Sequence, residues 1–187
     1  ATASASLDET GGLQTVTIAA GTITGLFNAP TYGQDGAGTT GYALSGTDGG
    51  ATGIYITGNT NEVKLVKISN TEFQGWTSGD TTNGTKAFTV SIDGSTGVVT
   101  VTQNAAINQP VAGNTADAYN DAVSLTGTAA ISVVQKVTDG DGDWATATSA
   151  KPLDIAFHDD APSASANAVA TASASLDETG GLQTVTI

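Results

Sequence analysis

At 187 residues the chain has room for one large domain or two small ones. Its 18 Asp and Glu stand against five Lys and no Arg, for a net charge of −13. That excess repels nucleic acid and anionic membrane surfaces and suits a soluble extracellular or cation-binding surface.

There is no Cys to build a disulfide framework, and no apolar run reaches the ~18 residues of a membrane span. Ile, Leu, Val and Phe make up 37 of the 187 residues. A highly charged chain with so thin a core is expected to draw on something beyond apolar burial, and a bound metal is the obvious source.

The chain opens with ATASASLDETGGLQTVTI at 1–18 and closes with the same letters at 170–187. An identical stretch of that length implies a tandem array with a period of 169 residues. Residues 1–160 are expected to form one β-sandwich repeat unit. Residues 161–187 are expected to be a linker plus the first strand of the next copy.

Strand signals recur in chain order. Val16 and Ile18 alternate with Thr, as do Ile54 and Ile56 in GIYIT, and Val63 and Leu65 in EVKL. Phe88, Val90 and Ile92 share one face of KAFTVSID, and Val99 and Val101 follow beyond the turn Asp93–Gly97, the clearest hairpin in the chain. Val123 and Leu125 open another strand. Ile131, Val133 and Val137 share a face on which Gln135 stands out, and Leu153, Ile155 and Phe157 alternate in PLDIAFHDD. The Gly-rich stretch 28–53 and the polar stretch 103–122 read as loops. After Asp160, APSASANAVATASAS reads as an extended linker. Many short strands with Gly-rich turns predict an all-β fold, an antiparallel Ig-like or Greek-key β-sandwich repeated in tandem.

Eight of the 18 acidic residues fall between 139 and 178. Asp139, Asp141 and Asp143 form DGDGD, where Gly permits the tight curl that lets alternate carboxylates face one ion. Asp159 and Asp160 follow the next strand and are expected near that loop if the chain doubles back. Asp177 and Glu178 repeat Asp8 and Glu9 at the strand starts, and these four are further candidate ligands, either of this site or of a separate one at the strand start. Carboxylates without thiols select hard cations, and a flexible Gly loop favours Ca²⁺ over Mg²⁺. DGDGD is not an EF-hand: with Asp139 as position 1, position 12 is Ala150 instead of Glu. Asp154 is expected to face solvent, and Trp144 to pack over the metal loop.

The stretch VTDGDGDWATATSAKPLDIAFHDDAPSA, the hairpin FTVSIDGSTGVVTVTQ and the opening SLDETGG together resemble the extender-type repeats of large bacterial RTX adhesins. The resemblance implies Ca²⁺-binding sandwiches, joined by a Ca²⁺-bound linker and strung between a cell-surface anchor and a ligand-binding tip. It also implies type I secretion, an extracellular location on the bacterial surface and a part in adhesion or biofilm formation. Asp139, Asp141, Asp143, Asp159 and Asp160 match the acidic motif of such repeats. The toxin-type nonapeptide GGxGxDxUx does not occur in the chain.

No catalytic constellation is evident. His158 abuts Asp159 on a strand, with no Cys and no nucleophile-elbow Ser to serve. The expectation is a non-enzymatic spacer whose partners are neighbouring repeats of the same chain, with no nucleic acid and no direct membrane insertion; the distal ligand is unknown. The alternative is a repeated ligand-binding module that recognises a glycan or peptide through loops 28–53, with Tyr32, Tyr42 and Asp35.

Overall fold

The computed structural model describes residues 2–110, 115, 121–160, 162, 164–166, 172–182 and 184–186. The protein is all-β. Its strands in chain order are β1 (Ser4–Asp8), β2 (Thr15–Ile18), β3 (Ala37–Ser45), β4 (Tyr55–Ile56), β5 (Val63–Ser69), β6 (Glu72–Thr77), β7 (Lys86–Ile92), β8 (Val99–Gln103), β9 (Ile107–Asn108), β10 (Ala122–Ser124), β11 (Ser132–Asp139), β12 (Trp144–Thr148) and β13 (Asp154–His158). One short helix, α1 (Ala20–Thr24), and three 3₁₀ turns complete the described elements.

One layer is a five-stranded sheet in the order β2-β8-β7-β6-β5. Its inner face follows the period-2 pattern: Val63 and Leu65, Phe73, Phe88 and Val90, and Val99 and Val101 are all buried. The facing layer consists of two three-stranded sheets, β1-β13-β10 and β12-β11-β3. Phe88 meets Phe157 across the layers with ring centroids 5.3 Å apart. Gly75 lies opposite Phe88 on β6, and a Cβ there would come within 2.3 Å of the Phe88 ring. The missing side chain is therefore what lets that ring lie flat on the sheet.

The two smaller sheets are parts of one long, interrupted hairpin. Its pairs run from Thr138↔Trp144 and Val134↔Thr148, through Leu153 N–H to the Ile131 carbonyl and Leu125 N–H to the Ile155 carbonyl, to Ala122↔His158. The DGDGD turn is the tip of this ladder. Asp121 and Asp159 close its far end, where the Asp159 N–H donates to the Asp121 carbonyl.

Three expectations change. Residues 28–53 are not all loop: 37–45 form the longest strand, β3, despite Gly38 and Gly41, because β11 supplies a full antiparallel partner. Gln135 is no exception to its face; it is 5% exposed, and its Nε2 reaches the Tyr42 hydroxyl at 3.5 Å. The sandwich is also not wholly antiparallel, since β1 runs parallel to β13 over five residue pairs. In the second copy of the opening sequence, the described residues form a 3₁₀ turn, Glu178–Gly180, and no strand.

Candidate metal centre

The candidate centre lies at the tip of the long hairpin. Gly142 takes φ +101°, and the Asp139 N–H donates to the Asp143 carbonyl at 2.9 Å, which closes the turn. A register shift between Thr138 and Asp139 breaks the β11–β3 ladder and re-aims Asp139. The adjoining loop then folds onto this tip. The Gly140 N–H donates to the Gly36 carbonyl at 3.0 Å. A Cβ on Gly140 would lie 2.2 Å from the Asp35 carbonyl oxygen, and one on Gly38 would lie 2.3 Å from that of Asp139. These two glycines set how closely the two backbones approach.

Carboxylate oxygens of Asp35, Asp139 and Asp141 consequently fall within 4.8 Å of one another. The carboxyl of Asp139 is held above its ordinary range, first by a hydrogen bond shared with Asp141, then by burial and by the negative charge of Asp141 and Asp143. Its Oδ1 is buried without a hydrogen-bond partner. Lys136, on the same strand as Asp139, has its ammonium 4.8 Å from the centroid of the Trp144 ring. An all-oxygen carboxylate set with one buried, unpaired acceptor fits a hard divalent cation.

Asp35 belongs to this group, although its place in the Gly-rich stretch 28–53 pointed to a ligand-recognition loop instead. The available signal was the Asp–Gly step in GQDGAG, which marks a tight turn but does not reveal what the turn packs against. Asp143 closes the turn through its backbone and lines a neighbouring groove.

The other expected ligands lie elsewhere. Asp159 and Asp160 do not converge on DGDGD: the chain does return along the hairpin, but the register carries them to its opposite end. There they meet Glu9. The Glu9 Oε1 accepts from the Ile107 N–H at 2.8 Å and from the Gln103 Nε2. Burial above all raises the Glu9 carboxyl, and the charges of Asp160 and Asp159 push it further.

Asp8 caps the 3₁₀ turn that follows β1. Its Oδ1 accepts the Thr10 N–H at 2.8 Å, and hydrogen bonds from Thr10 lower its carboxyl. Asp177 makes the same cap to Thr179 at 2.9 Å. Glu178 opens that second turn, and its side chain lies outside what the structure describes. Asp154 faces solvent. His158 is half-buried at the end of β13 beside Asp8.

Beside the metal candidate, a groove of about 440 Å³ runs between residues 27–32 and the exposed face of β11 and β12. Phe27, Tyr32 and Trp144 line it, with Asp139 and Asp143 at one end. Trp144 is 64% exposed; it borders this groove and does not seal the loop.

These features define an acidic β-sandwich with an all-carboxylate loop cluster. The family described as a domain of unknown function (DUF5801) matches residues 4–150, and the chain belongs to it. No curated protein and no solved structure matches the chain.

Proposed function

We propose that the chain is a structural extender repeat of a secreted bacterial surface adhesin, stiffened by Ca²⁺ and projecting a distal ligand-binding region. The Asp35–Asp139–Asp141 cluster carries the reading, because two chain segments meet there only by bringing like charges together. Such a meeting is unfavourable, the more so the less water screens the charges. A divalent ion reverses the sign of that interaction and ties the 33–38 loop to the hairpin tip. The exact repetition at 170–187 favours a spacer, since length is additive along an array. At the far end of the hairpin, Glu9, Asp159 and Asp160 stand where the chain leaves the sandwich for the next repeat.

The test is a thermal melt of ion-free protein with and without 10 mM Ca²⁺. An extracellular site with Kd of about 0.1–1 mM should raise Tm by about 3–10 °C. Identical melting curves would remove the mechanism. The alternative of a glycan- or peptide-binding module gains some support from the aromatic groove beside Tyr32, in place of the whole 28–53 stretch. Reproducible hits for one repeat on a glycan array would favour that alternative.

A further inference from the structure

The segment holding β1 and β2 is attached to the sandwich in an unusual way. Among the described strands, β1 is an edge strand paired with β13 alone, and β2 is an edge strand paired with β8 alone. This segment can leave without breaking any other ladder. Its absence would open the edges of β13 and β8 and uncover the places filled by Ala5 and Leu7. The chain carries a second segment of identical sequence. Ser173–Asp177 repeat Ser4–Asp8 letter for letter. Leu7 is fully buried, whereas its counterpart Leu176 is 60% exposed, and Leu182 and Val185 of the second copy are exposed as well.

We propose that residues 173–177 are an alternative occupant of the β1 slot in the same chain, exchanging with residues 4–8 for the open edge of β13. The two segments offer β13 the same side chains in the same order, so the contacts made in the slot are equal. The connection is long enough. Fourteen residues (159–172) separate His158 from Ser173, and a parallel neighbour needs a crossover of about a dozen or more. Fully extended, they span on the order of 46 Å, well beyond the length of a five-residue strand. In an array, every sandwich could then be completed from either of its two flanks.

The test uses disulfide trapping, which is clean because the chain has no Cys. Ser6 pairs with Ala156 across the β1–β13 ladder, and Ser175 is the counterpart of Ser6. Under mild oxidation, Ser6→Cys/Ala156→Cys and Ser175→Cys/Ala156→Cys should both cross-link within the monomer. The second pair should approach completion when Leu7→Asp disables the first segment. The out-of-register pair Ser173→Cys/Ala156→Cys should lag well behind. Melting supplies an independent reading: Leu7→Asp alone and Leu176→Asp alone should stay within a few degrees of the parent, while the double variant loses its cooperative transition. The proposal is overturned if the Ser175→Cys pair stays reduced in both backgrounds, cross-links only between chains, or reacts no faster than the out-of-register pair. It is likewise overturned if Leu7→Asp alone unfolds the protein as fully as the double variant.

Discussion

At the scale of single residues, the most informative group is Asp139. Its carboxyl binds a proton more tightly in the folded chain than in the unfolded one, and so does that of Glu9. Groups of this kind favour the fold at low pH and lose that contribution as pH rises through their folded values. Asp8, Asp80 and Asp93 act in the opposite sense: hydrogen bonds lower them, and their contribution is lost as pH falls below the ordinary value of 3.8. The ion-free protein should therefore be most stable at mildly acidic pH, above 3.8. Ca²⁺ should move the optimum towards neutrality by competing with protons for Asp139. Denaturant titrations across pH, with and without the ion, read this directly. Asp139→Asn should raise the stability of ion-free protein at pH 7 and abolish the Ca²⁺-induced shift in Tm. Gly140→Ala should abolish that shift with every carboxylate still present, because its methyl group would drive the Asp35 backbone away.

Among the elements, the β6–β7 pair has the clearest energetics. Phe88→Ala removes a fully buried ring that bridges the layers, and should cost about 3–5 kcal/mol. Gly75→Ala adds a single methyl against that ring and should cost about 1–3 kcal/mol. Both effects appear in equilibrium denaturation. How far each element could be read from sequence follows from the strength of its period. β7, β8 and β13 have bulky β-branched or aromatic residues on alternate positions, and alternation alone finds them. β1, with Ala5 as an inward residue, and β12, whose five residues are all exposed, offer almost no contrast between faces. β3 was hidden by its glycines and depends on β11 for its form. The same limit applied at the candidate centre: DGDGD was legible as a local motif, whereas Asp35 joins it through a backbone contact more than 100 residues away in sequence.

At the scale of the molecule, two acidic groups stand at opposite ends of one hairpin, Asp35 with Asp139 and Asp141 at the tip and Glu9 with Asp159 and Asp160 at the other end. Under the proposed function, an ion at the tip would brace a loop within the sandwich. Charge at the other end stands where the chain leaves β13, which in the proposed array would lead to the next repeat. A two-repeat protein should therefore respond to Ca²⁺ in its overall dimensions. Small-angle scattering should show a larger maximum dimension and less bending with the ion than after chelation. No change in the scattering curve would confine the ion's effect to the single domain.

The parallel pairing of β1 with β13 has a mechanical consequence. Ser4 stands beside Asp154 at one end of the pair, and Asp8 beside His158 at the other. Tension that enters before Ser4 and leaves after His158 drags these neighbours past each other along their common axis. The rungs then share the load and yield together instead of unzipping one at a time. A fibre of such units would withstand steady pulling at a joint made of only five residue pairs.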